Sequence, residues 1–204
     1  MPRGRYTLHD VHDHTPLGEE HFQCATGPAG WRYTARTTHP GGSPAGSVDL
    51  TLDDRGRPVR LELHAAGWQV RAATLDGLTW VRTDPTGEHA QEGNAPAHSF
   101  TGASPAFLIA TARLLRLEPG GPATRVRLVS FQPPVLAPLT VDQSWSLLTR
   151  TAHPADTGFL PVDNFLLSDL STGEQHEVHL AGDVVLAAPG IELEDLDTPP
   201  STFS

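Results

Sequence analysis

A mainly β fold is predicted for this 204-residue chain: one curved antiparallel sheet of about ten strands, a half-barrel, with one helix inserted after the sixth strand. Three observations carry the prediction. Apolar and polar side chains alternate with period two from Glu19 to Thr83, 19 glycines and 19 prolines punctuate the chain, and only one stretch, after Ser104, has helical spacing. No repeat or linker divides the sequence, so residues 1–204 are read as a single domain.

Residues 1–17 are polar, rich in His and Asp and without periodicity, and are read as an N-terminal arm. Glu19–Thr26 and Trp31–Thr38 flank Gly27-Pro28-Ala29-Gly30 as a hairpin. Beyond the Gly/Pro-rich loop His39–Ser47, strands are expected at Val48–Asp53 and Val59–Ala65, joined by the turn Asp54-Arg55-Gly56-Arg57-Pro58. Gly67 turns the chain into Trp68–Thr74, and Asp76-Gly77 turns it into Leu78–Thr83. Asp84–Ala103 reads as a long polar loop. Ser104 then caps a helix with Pro105 as its first residue, and Phe107, Leu108, Thr111, Leu114 and Leu115 form its apolar face. Pro119-Gly120-Gly121 ends it. Thr124–Gln132, Ser144–His153, Phe159–Leu170, Glu174–Ala181 and Asp183–Ala188 complete the strands, and the acidic, Pro-rich tail 192–204 is expected to fray.

A helix of about 14 residues is roughly 21 Å long. It cannot cover the apolar face of so many strands, so the sheet must curl or fold into a sandwich. Curled sheets lined with aromatics often leave a ligand cavity. Trp31, Trp68 and Trp80 share the inward register with Tyr33, Val70 and Leu78. They either fill the core or line such a cavity. A concave face filled completely by side chains would count against a cavity.

Composition narrows the chemistry. All 14 basic residues are arginine, which removes Schiff-base and Walker-lysine mechanisms. A net charge of −10 argues against a nucleic-acid partner. One cysteine, Cys24, excludes an internal disulfide and any Cys-rich zinc site, and its mid-strand position suits an inert buried thiol. His9-Asp10-Val11-His12-Asp13-His14 holds five potential metal ligands, but Val11 occupies the second ligand position of the His-x-His-x-Asp-His pattern, so no metal site is assigned. No dinucleotide fingerprint, P-loop or nucleophile elbow is present, and no cofactor is expected. Neither a leader-like apolar start nor a run of roughly 18–20 apolar residues occurs, which predicts a cytoplasmic protein with no integral membrane segment.

Arg32, Arg36, Asp49, Arg60, Glu62, His64 and Arg71 share the outward register, the ordinary decoration of a solvent face. Were that register locally reversed, Glu62, His64 and Arg71 would form an acid–base cluster.

Gly102-Ala103-Ser104-Pro105-Ala106, Thr111-Ala112-Arg113-Leu114-Leu115-Arg116-Leu117 and Gly121-Pro122-Ala123-Thr124-Arg125-Val126-Arg127-Leu128-Val129-Ser130-Phe131 together resemble the glycolipid-binding family of bacterial proteins. Pro134-Val135-Leu136-Ala137-Pro138-Leu139, Gly30-Trp31-Arg32-Tyr33, Arg57-Pro58-Val59-Arg60-Leu61-Glu62 and the closing Asp183-Val184-Val185-Leu186-Ala187-Ala188-Pro189-Gly190-Ile191-Glu192 extend the similarity. The resemblance implies a curved sheet like that of the lipoprotein carrier LolA, with a concave apolar lipid site partly lidded by helix. On this reading the protein is a non-catalytic carrier or sensor of a hydrophobic small molecule such as a glycolipid or acyl chain. Trp31, Tyr33, Leu50, Leu63, Trp68, Val70 and Trp80 would line the site, Phe107 and Leu108 would sit on the lid, and Arg82 or Arg113 would meet a headgroup. Two alternatives stand beside it: an enzyme in the same cavity using Glu62, His64 and Arg71, and a structural or interaction protein.

Overall fold

The computed structural model describes residues 1–27, 30–155 and 158–201. Pro28 and Ala29 of the expected first turn, and residues 202–204 of the expected tail, lie outside the described residues. The chain first runs as a meander: β1 (Arg3–His9), β2 (Pro16–Gly27), β3 (Gly30–Thr38), β4 (Pro44–Leu52), β5 (Pro58–Ala65), β6 (Trp68–Leu75), β7 (Gly77–Thr83) and β8 (Ala90–Ala95). A short strand β9 (Ser99–Thr101) precedes the helix α1 (Pro105–Leu115). A second meander follows: β10 (Thr124–Gln132), β11 (Ala137–Ala155), β12 (Gly158–Asp169), β13 (Gln175–Ala181), β14 (Val184–Ala188) and β15 (Ile191–Leu196). Because β15 pairs with β1, the two meanders fuse into one open curved sheet of 15 strands, ordered β8 through β1 and then β15 back to β9.

The expected class holds, with corrections. The sheet has 15 strands instead of about ten, and α1 follows the ninth strand instead of the sixth. Strand pairing is antiparallel throughout except between β9 and β10, which run parallel. Part of the expected N-terminal arm is β1, at the centre of the sheet between β2 and β15. Two alternating residues, Tyr6 and Leu8, are all of β1 that reaches the core. That is too short a signal to stand out among the neighbouring His and Asp. Likewise Ile191–Leu196 of the expected frayed tail is β15, with Leu193 and Leu196 packed against the core and the acids between them outward. The expected loop 84–103 contains β8 and β9. The β8 sequence AQEGNA has loop-like composition and is held extended by its ladder with β7.

Helix α1 begins where Ser104 and Pro105 predict. The Ser104 hydroxyl accepts from the Ala106 amide at 3.3 Å, and the helix stops at Arg116 in the left-handed region, φ 47°. Its buried face is rotated from expectation: Phe107, Ile109, Ala110 and Thr111 point inward, while Leu108, Leu114 and Leu115 are half-buried. Inside the curl it packs against β4, β9 and β14, so both half-sheets share one core. Gly56, in the β4–β5 turn, lets the sheet approach it. A Cβ at that position would lie 2.7 Å from the Arg113 carbonyl, and its φ of +80° also favours glycine.

The curl brings the two sheet edges together. Trp80 of β7 meets Phe131 of β10 edge-on at 5.7 Å, and the Arg82 guanidinium donates to the Val135 carbonyl at 3.2 Å. Aromatic rows knit the interior, with Tyr6, Phe22, Tyr33 and Trp31 in successive contact at 4.7, 5.6 and 5.7 Å. Each such pair adds about 0.5–1.5 kcal/mol beyond the area it buries.

Candidate functional site

All nine side chains expected to line a ligand site do gather on the inner side of the curl. Trp31 is 1% exposed and Tyr33, Leu50 and Val70 are 0% exposed, which leaves no water-sized space against those three. Leu63 and Phe107 are buried, and Trp68, Trp80 and Leu108 are half-buried. Six of the nine are therefore packed core, while Trp68, Trp80 and Leu108 pack against it with part of their surface accessible. The two rim arginines lie over tryptophans: Arg82 is 4.7 Å from the Trp68 ring and Arg113 is 5.5 Å from the Trp31 ring. Burial holds the Arg113 guanidinium below its ordinary range.

A polar cluster lies inside this core, and the sequence reading missed it. Glu20, on the inward register of β2 with Phe22 and Cys24, is 1% exposed. Its Oε1 accepts from the Tyr33 hydroxyl at 2.7 Å and from the Ser104 hydroxyl at 2.8 Å, which ties β2 and β3 to the helix cap. Burial pushes its carboxyl up to about 7, against the opposing effect of those two donors. Tyr6 accepts from the Val185 amide at 3.0 Å, and burial raises both its hydroxyl and the Cys24 thiol above their usual ranges. The Cys24 thiol donates weakly to the Asp183 carbonyl at 3.6 Å, which suits an inert thiol. The available signal for Glu20 was an acid in step with Phe22 and Cys24 on a half-buried strand.

The open site lies on the opposite face. A groove of about 890 Å³ crosses β15 and β1 to β5 on the polar side of the sheet. Cross-strand pairing builds it in two rows. In one, Arg5, His21, Arg36, Ser47 and His64 stand directly opposite one another on successive strands. In the next, Arg3, Gln23, Thr34, Asp49 and Glu62 do the same, and Arg71 of β6 follows. Every charged side chain of the second row has an ion-pair partner, most of them from outside the row. Asp49 takes two hydrogen bonds from Arg32, at 2.9 and 2.6 Å, and Arg3 meets Asp197 at 2.7 Å.

This placement decides the acid–base candidates. Glu62 and Arg71 are brought together at 3.2 Å, with Arg60 at 2.9 Å, and His64 stands two residues along on the same face. The register is not reversed: Arg71 and His64 are exposed. The hydrogen bond from Arg60 holds the Glu62 carboxyl below its ordinary range. An ionised, ion-paired carboxylate on a solvated face is a poor general acid or base.

In the His9–His14 segment, Asp10 accepts from the amides of His12 and Asp13 as a turn. Among the described residues no group of three or more His, Cys, Asp or Glu side chains is arranged to hold a metal ion, and no helix is long and apolar enough to cross a membrane. No family model and no curated protein matches the chain. Its fold is similar to the crystal structure of a DUF1089 family protein from Pseudomonas aeruginosa, with a TM-score of 0.58 and 16% identity over 86% of this chain and 91% of that one.

Proposed function

We propose that the protein is a non-catalytic binding protein, a carrier or sensor, that takes a polar-headed molecule such as a glycolipid by its head group in the groove of the polar face. One observation carries this reading: the groove is open and about 890 Å³, while Trp31, Tyr33, Leu50 and Val70 of the inner face are sealed from water. Its Arg, Asp, Glu, Gln and His side chains present donors and acceptors in pairs, the chemistry that engages vicinal hydroxyls of a sugar. The glycolipid-binding resemblance points to the same ligand class. Ion pairing of Glu62 with Arg60 and Arg71 favours holding a ligand over turning it over.

A second reading keeps the hydrophobic chain inside the curl, in exchange for α1. The half-buried Leu108, Leu114 and Leu115 favour it, because they mark one side of the helix as incompletely packed. Burying an acyl chain yields about 0.8 kcal/mol per methylene, and each large apolar side chain withdrawn costs about 1.5–3 kcal/mol. A chain of about 14 carbons would thus roughly balance four or five displaced side chains.

Backbone chemical-shift mapping with octyl glucoside, and separately with dodecanoate, tests both. The groove reading expects octyl glucoside to shift amides of β1 to β5, and the double variant Gln23→Ala/His64→Ala to bind about tenfold more weakly. Shifts confined to α1 and its inner neighbours with either compound would overturn the groove and install the second reading. No response to either would overturn both.

A further inference from the structure

We propose that the first row of the groove is an anion site, so that the head group held there carries a phosphomonoester. The inference rests on the groove reading above and adds the charge of the ligand to it. Within the row, Arg36 is flanked across the strands by His21 on one side, and on the other by Ser47 and then His64. Strands lie about 4.8 Å apart, so His21 to His64 spans roughly 14 Å, and Arg36 and Ser47 fall in between.

Among the described residues, Arg36 is the arginine lining this groove that no carboxylate pairs. Arg32, Arg60 and Arg71 are each committed to Asp49 or Glu62, and Arg3 to Asp197. Arg5 is shared with Glu19 at 3.4 Å, and His21 also approaches Glu19 at 3.4 Å. No carboxylate among the described residues pairs with Arg36 or His64, although the rest of the face is laced with ion pairs.

Of the acids that line the groove, Asp195 alone continues this row, three strands from Arg36. Asp49 and Glu62 belong to the neighbouring row and are already paired, Asp197 meets Arg3, and Asp195 faces Arg5 at the far end. A phosphomonoester placed over Arg36 would receive both guanidinium donors, with His21 and the Ser47 hydroxyl on the two adjacent strands beside its other oxygens and His64 one strand further along the row. The overall charge of −10 opposes this only weakly, because physiological salt screens charges more than about 8 Å away.

Isothermal titration with glucose and glucose 6-phosphate, alongside sedimentation with phosphatidylcholine vesicles with and without phosphatidic acid, tests the site. The inference expects glucose 6-phosphate to bind at least about tenfold more tightly than glucose, and expects Arg36→Ala to abolish that difference. Arg125→Ala, on the other half-sheet, should leave it intact. Binding to phosphatidic acid vesicles alone, lost in Arg36→Ala, would support the same site with a lipid as its source. Equal binding of glucose and glucose 6-phosphate, or wild-type phosphate affinity in Arg36→Ala, would overturn the anion site and leave the groove reading standing. Absence of every interaction would overturn both.

Discussion

Replacing Glu20 with glutamine removes a buried titratable group while keeping its shape. The wild-type carboxyl is pushed up to about 7 by burial, against about 4.3 in an unfolded chain. Between those values the folded protein holds a proton that the unfolded chain has released. The resulting stabilisation is fully present below about pH 4.3 and is lost as pH rises through about 7. A separation of roughly 2.7 pH units, at 1.36 kcal/mol each, amounts to about 4 kcal/mol, of which about 3 kcal/mol falls between pH 5 and pH 8. Carboxylates on the polar face act in the opposite direction: hydrogen bonds from Arg127 and Arg125 hold Asp142 well below the usual range. Urea denaturation of wild type and Glu20→Gln at both pH values isolates Glu20, because the other groups cancel in the double difference. Wild type should lose about 3 kcal/mol more than the variant on going from pH 5 to pH 8. An equal change in the two proteins would refute the reasoning, even if glutamine were destabilising at both pH values.

Two further substitutions probe the corrected parts of the fold. Tyr6→Phe removes the acceptor of the Val185 amide, a 3.0 Å bond between β1 and β14, and should cost about 1–3 kcal/mol by leaving a buried donor unpaired; an unchanged denaturation midpoint would contradict a central role for β1. Gly93→Ala would place a Cβ 2.6 Å from the Trp80 indole. It should destabilise by about 1–3 kcal/mol and shift the tryptophan emission, whereas unchanged fluorescence would show that the indole does not lie across that strand.

Much of the sheet was legible wherever apolar side chains alternate over three or more positions. Val59, Leu61 and Leu63 mark β5 that way, although Val59 proves exposed at 52% beside the β4–β5 turn, where the register shifts between Thr51 and Leu52. The helix was legible from Ser104 and Pro105, since capping is decided by the residues at the cap. Its buried face was less so, because which side of a short apolar helix is covered depends on its neighbours. The strands β1, β8, β9 and β15 were not recognised: each is short or polar, and pairing partners hold it in place.

The candidate site divides along the same line. The outward register of Arg36, Glu62, His64 and Arg71 was read directly from alternation, because successive side chains on a strand face opposite sides. Alternation does not show that Arg36 stays unpaired while its neighbours are neutralised, or that Glu20 sits under the helix cap. Nor does it show that Trp31 and Tyr33 are sealed into a filled core. Those depend on which strands lie side by side and on where α1 lands. By itself the sequence determined the β class, the two faces of each strand and the start of the helix, all set by interactions within a few residues. Only the tertiary structure decided the 15-strand order, the central place of β1 and the groove. Each of these arises from contacts between residues far apart in the chain, which local periodicity does not encode.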